Sequence, residues 1–167
     1  EQDKYLGFIE GDVLFSNIRT YFRKIWRAKF AGGASNDIIV FSTRNNNILD
    51  QTYLYYLLSN EDFIEYTVRT AKGTKMPRGD KSALKAFKFV LPPSIAEQKS
   101  IAHILSTLDD KIELSRQMNQ TLEQMAQALY KSWFVDFDPV IDNALAIGND
   151  IPEPFHKRAE SRSELGG

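Results

Sequence analysis

The sequence predicts an α+β protein in which a small mixed domain is followed by one long, coiled-coil-forming helix. Three observations predict it. Short runs rich in β-branched and aromatic residues, punctuated by Gly- and Asn-rich turns, fill roughly the first ninety residues. A double proline, Pro92-Pro93, ends that pattern, and about forty residues of unbroken helical periodicity follow. The expected domains are residues 1–93, residues 94–135 as the long helix, and residues 136–167 as a linker or tail.

In chain order, "DVLFS" (12–16), "YFRKIWRAKF" (21–30) and "DIIVFS" (37–42) are expected as strands. An extended run over 21–30 would put Tyr21, Arg23, Ile25, Arg27 and Lys29 on one face and Phe22, Lys24, Trp26, Ala28 and Phe30 on the other. Leu54, Leu57 and Leu58, then Phe63, Ile64 and Val68, recur at helical spacing, with Asn60 the expected N-cap of the second of two short helices. Asp80 is placed to cap a short helix running to Phe87, after which "FKFVL" reads as a strand stopped by the prolines.

Ser94 and Glu97 match the S-x-x-E capping box, so a helix should start there. Ile101, Leu105, Leu108, Ile112, Ser115, Asn119, Leu122, Ala126, Leu129 and Trp133 follow alternating steps of four and three, the seam of a coiled coil. From Ser94 to about Phe134 such a helix is roughly 60 Å long and needs a partner helix to cover its apolar stripe. The tail is rich in proline, glycine and charge; it is expected to be a linker with about one helical turn around Phe155 to Arg158.

The composition, 43% apolar and 26% charged, excludes collagen-like and disordered classes. No apolar run approaches the ~18 residues that cross a bilayer, and the N-terminus lacks signal-peptide features, so no membrane association and a cytoplasmic location are expected. Without cysteine, disulfides, thiolate nucleophiles and cysteine-rich zinc sites are excluded. The net charge of −1 hides an asymmetry. Arg19, Arg23, Lys24, Arg27 and Lys29 lie in a stretch without acids, and Arg69, Lys72, Lys75, Arg78, Lys81, Lys85 and Lys88 surround the single acid Asp80. That placement suits a polyanionic partner.

No Gly-rich nucleotide loop, catalytic triad or paired metal-ligand spacing is present, so neither catalytic nor metal-binding residues are assigned. Asp80, Glu97 and Lys99 superficially resemble a metal-dependent nuclease set, but a helix cap and a solvated lysine explain them more simply. His103, beside the seam, and His156, in the tail, carry no motif. A charged run is often only a solvated face; two such blocks interleaved with neutral hydrogen-bonding groups point to double-stranded DNA. Cations neutralise phosphates, while Asn, Ser, Thr and Arg read base edges. The candidate contacts are Arg19, Tyr21, Arg23, Lys24, Arg27, Lys72, Lys75 and Arg78, with Ser16, Asn17 and Thr74 the better candidates for base-edge or shape-sensitive contacts. The competing reading is a coiled-coil assembly scaffold whose charges serve solubility.

At "FKFVLPPSIAEQKSIAHILSTLDDKIE", with "NQTLEQMAQALYKSWF" after it, the sequence resembles the DNA specificity subunit of type I restriction-modification systems. The matching positions are Leu91 to Pro93, Glu97, Gln98, Ile101, Ala102, Leu105, Leu108, Asp109, Ile112, Leu122, Glu123 and Leu129. "GDVLFSNIRTYFRKIWRA" and "GTKMPRGD" resemble pieces of that family's target recognition domain, and "FVDFDPV" resembles its linker after the central helix. Because the chain starts at Glu1 and such domains have further strands before the position of Gly11, an N-terminal part is expected to be missing. The resemblance implies a non-catalytic reader of one half of a bipartite site. It implies a second antiparallel helix, from the same subunit or a second copy, and modification (methyltransferase) and restriction subunits as partners. S-adenosylmethionine and ATP with magnesium are then expected on those partners and no cofactor on this chain.

Overall fold

The structure is a computed structural model and describes residues 5–164; the outer limits of the expected first and last domains lie outside the described residues. The α+β expectation holds. The chain divides into two compact units, Glu1–Leu108 and Asp109–Gly167, and the division falls within the long helix.

In the first unit, strands β2 (Val13–Ser16), β3 (Ile25–Arg27) and β5 (Ile38–Phe41) form an antiparallel sheet in the order β3-β2-β5. Alternation sorts their side chains. Val13 and Phe15, with Ile25, Ile39 and Phe41, pack into the main core, whereas Leu14, Ile38 and Val40 pack on Phe8, Ala28 and Ala34. Two strands escaped the sequence analysis, β1 (Leu6–Phe8) and β4 (Gly32–Ala34), which pair antiparallel with Gly7 opposite Gly33. Their glycine content hides them, since glycine supplies neither β propensity nor an alternating pattern.

Helices α1 (Gln51–Ser59) and α2 (Glu61–Arg69) cover the main core with Leu54, Leu58, Phe63 and Ile64. Asp50 caps α1 by accepting from the Thr52 and Tyr53 amides, and Asn60 caps α2 as expected. Val68, expected in the apolar stripe, is exposed. Phe63 is the hub: the rings of Phe15, Phe87 and Phe89 lie 5.6, 5.4 and 5.8 Å from its own. Asp80 caps α3 (Lys81–Ala86) through the Ser82 amide at 2.9 Å, again as expected.

Four expectations need correction. Residues 21–30 are not one strand: Thr20–Phe22 is a 3₁₀ turn between two left-handed residues, Arg19 (φ 49°) and Arg23 (φ 53°), and only Ile25–Arg27 is extended in the sheet. The two-face sorting of basic residues over 21–30 therefore fails. "FKFVL" is unpaired; Phe87 and Phe89 pack on the core while Val90 is 95% exposed, so apolar alternation marked an anchored coil. α4 (Ile95–Tyr130) starts where expected, yet neither Ser94 nor Glu97 makes the side-chain bonds of a capping box; the Ser94 carbonyl accepts from the Gln98 amide. The tail is helical rather than a linker.

In the second unit a π turn, Lys131–Val135, ends α4, and α5 (Asp138–Ile147) and α6 (His156–Glu164) follow, the latter preceded by a 3₁₀ turn, Glu153–Phe155. Arg158 grips Asp138 with both arms, Nε and Nη2 each 2.8 Å from a carboxylate oxygen, and Arg162 holds Asp142 in the same way. Ion pairs between residues twenty positions apart join these helices, with Ile141 and Ala159 buried and the Phe137 and Phe155 ring centroids 5.8 Å apart. α6 has a single apolar residue and offers no apolar repeat, so the tail resembled a linker. Among the described residues no helix is long and apolar enough to cross a membrane.

Candidate nucleic-acid interface

The two basic blocks meet at the end of β2. Past Ser16 the Asn17 amide donates to the Asp37 carbonyl (2.8 Å), and the Asn17 carbonyl accepts from the Gly79 amide (2.9 Å). The Arg19 amide donates to the Pro77 carbonyl at 2.8 Å, and Ile18 bridges to Arg78. Lys72 and Arg78 exchange both amide–carbonyl bonds, at 2.8 Å each, which closes residues 73–77 into a loop. Gly73 has φ +97°, a conformation costly for any residue with a Cβ. A Cβ on Gly79 would sit 2.7 Å from Asn17 Oδ1, so any larger residue would have to push the buried Asn17 side chain aside where the loop base approaches the end of β2.

Ser16, Asn17 and Arg19 thus share one backbone-braced corner with Lys72, Thr74, Lys75 and Arg78, although more than fifty residues separate the two segments. The left-handed backbone at Arg19 and Arg23 costs on the order of 1 kcal/mol at each, and surrounding bonds hold it in place. Asn17 is buried, and its Oδ1, like Arg19 Nε and Thr20 Oγ1, has no hydrogen-bond partner among the described residues. Asn17 therefore sits buried within the corner, its backbone bonded to Asp37 and Gly79.

The remaining candidates lie on the turn and strand that follow. Tyr21 is exposed beside Phe22, with ring centroids 4.6 Å apart, and Lys24 Nζ stands 5.7 Å from the Phe22 centroid. Arg23 pairs with Glu61 of α2, and Arg27 donates to Thr52 of α1 at 3.1 Å. At the loop, Arg78 Nη2 lies 3.1 Å from Asp37 Oδ1, and Lys72 Nζ lies 2.5 Å from Asp80 Oδ2. The Lys72 ammonium, with the Ser82 amide, holds the Asp80 carboxyl below its usual range. Thr74 and Lys75 are exposed at the loop tip, and Lys75 has no acidic partner among the described residues. Among the described residues no group of three or more His, Asp or Glu side chains stands close enough to hold a metal ion, and the Asp80 carboxylate of the nuclease-like set is engaged as a cap and ion pair.

The motif "LPPSIAEQ" contains a residue whose role sequence reasoning missed. Gln98 is 1% exposed, and its amide donates to the Ile48 carbonyl (3.0 Å) and the Pro92 carbonyl (2.9 Å) while its Oε1 accepts from the Asp50 amide (3.0 Å). One side chain ties the start of α4 to the proline turn and to the cap of α1. Along the seam Ile101 and Leu105 are half-buried; Leu108, Ile112, Ser115, Asn119, Leu122, Ala126, Leu129 and Trp133 are exposed, the last within the π turn.

Residues 1–124 match the family described as Type I restriction modification DNA specificity domain. The chain belongs to this family. It is 37% identical over 150 residues to the type I restriction enzyme HindI specificity subunit of Haemophilus influenzae, a match covering 85% of this chain and 32% of that protein. It is 34% identical over 105 residues to the MjaIX specificity subunit of Methanocaldococcus jannaschii, covering 63% of this chain and 24% of the relative. The chain thus spans about a third or less of these specificity subunits. The loop corner, Gln98 and most of α4 fall inside the family match, whereas α5 and α6 lie beyond residue 124.

Proposed function

We propose that this chain is the DNA-reading part of a type I specificity subunit, recognising one half of a bipartite duplex target without catalysing a reaction itself. The observation that carries this is the meeting of two sequence-distant basic segments at one braced loop, in a chain of the specificity family. In this reading Lys75, Arg78, Lys72 and Arg19 face the phosphates. Thr74 and Ser16 lie next to base edges, and Tyr21, Arg23, Lys24 and Arg27 extend the positive surface. The exposed seam from Leu108 to Leu129 supports pairing of α4 with a second antiparallel helix, from the same subunit or another copy. Modification subunits carrying S-adenosylmethionine and a restriction subunit using ATP and magnesium complete the complex, with no cofactor on this chain, in the cytoplasm.

Two measurements test the proposal. Deleting the gene should abolish one methylated bipartite motif in the genomic DNA of its host, and a methylation pattern that stays intact would sink it. In the intact complex, Lys75→Ala combined with Arg78→Ala should weaken duplex binding and flatten its salt dependence by about one unit of slope per lost phosphate contact. Unchanged binding would remove the loop from the reading surface.

A further inference from the structure

We propose that Asp37 and Asp80 are phosphate stand-ins, carboxylates that occupy Arg78 and Lys72 in the unbound protein and hold down its affinity for non-target DNA. This rests on the DNA-reading proposal and goes beyond it in assigning a role to the acids. Lys72 and Arg78 are directly opposite each other across the loop base, which leaves two like charges on neighbouring positions. Each is met by one acid from another part of the fold: Asp37 immediately precedes β5 and Asp80 caps α3. Asp80 is the single acid among residues 69–88, and Asp37 is the first to follow the acid-free stretch 13–36. The acids of this otherwise basic surface thus sit on its cations, while Lys75 at the tip is left open.

The cationic side chains stay accessible despite these pairs, at 79% for Lys72 and 58% for Arg78. Solvent screens such pairs, so they open at little cost and a DNA phosphate can take the place of the carboxylate. Binding without sequence preference depends almost wholly on how many cations are free to meet phosphates. Each carboxylate subtracts one contact from that sum and penalises any duplex too weakly held to displace it.

The test uses Asp37→Asn and Asp80→Asn in the intact protein with its partner subunits; asparagine preserves the α3 cap. The probe is a random-sequence duplex of about 30 base pairs, titrated between about 50 and 200 mM salt. Each substitution should tighten binding about two- to fivefold and steepen the salt dependence. If the acids only relieve repulsion within the loop, the same substitutions will leave binding unchanged or weaken it, and the proposal is overturned. Lys75→Ala separates the two levels. Wild-type binding that Lys75→Ala weakens but the acid substitutions do not strengthen refutes this inference alone; no salt-dependent binding by the wild type refutes the DNA reading as well.

Discussion

The two units of this chain are held together by different physics. Residues 1–108 surround an aromatic hub, Phe63, with Val13, Phe15, Leu54, Leu58, Ile64 and Leu84 almost completely buried. Among the described residues from 109 onward the buried apolar side chains are Ile141 and Ala159, and paired aspartates and arginines join α5 to α6. Burial of apolar area tolerates changes of pH and salt; ion pairs do not. The first unit can therefore carry a polar corner with left-handed residues Arg19 and Arg23 on its rim, because its stability comes from elsewhere.

The largest effect should come from removing the hub. Phe63→Ala deletes a ring in contact with four others and leaves a cavity, which should cost about 3–5 kcal/mol. Urea unfolding should show the loss in the first unit, while hydrogen-exchange protection of α5 and α6 stays as in the wild type. A concerted loss in both would mean that the two units do not hold themselves independently. Gln98→Ala should rank next. It leaves the Asp50 amide and the Ile48 and Pro92 carbonyls without their partner, for about 2–4 kcal/mol, with exchange rising first in the residue 48–50 turn. Equal loosening everywhere would show that Gln98 merely fills space.

How well each region could be read from the sequence follows from the same contrast. Leu54, Leu58, Phe63 and Ile64 announced themselves by periodicity, as did the start and length of α4, because apolar burial imposes a repeat on the chain, while Val13 and Phe15 were legible as part of a β-rich run. The site was legible as a list of cations and not as a geometry. Arg19 meeting Pro77, Arg78 meeting Asp37 and Gln98 reaching Ile48 are bonds between residues 40 to 60 positions apart, and no local pattern encodes them. The turn Thr20–Phe22 was missed because aromatic residues suit a strand, whereas bonds to the distant loop hold Arg19 left-handed. The α5–α6 pair was invisible for the corresponding reason: Asp138 and Arg158 are twenty residues apart, and α6 carries a single apolar residue, Ala159.

The smallest of these effects is also the one that isolates the second unit. Asp138 opens α5, where the positive end of the helix favours a carboxylate, and it is 3% exposed. Arg158, desolvation working against it, and then the Ser132 hydroxyl at 2.8 Å set its pKa; the net effect lowers it from 3.8 to about 2. Lys131, Asp136 and Asp142 with Arg162 complete the charged surroundings, and Arg162 likewise lowers the Asp142 pKa. A carboxyl depressed in the folded state binds its proton more readily when unfolded. Its contribution is therefore fully present above about pH 4 and fades as pH falls through about 2. Exchange protection of α5 and α6 should decline across that window while the Phe63 core, built of uncharged side chains, keeps its own. In Asp138→Asn the protection should already be lower near neutral pH and should vary less with acid. If the substituted protein keeps the wild-type acid profile, another group governs the hairpin and the ion-pair account of the second unit is wrong.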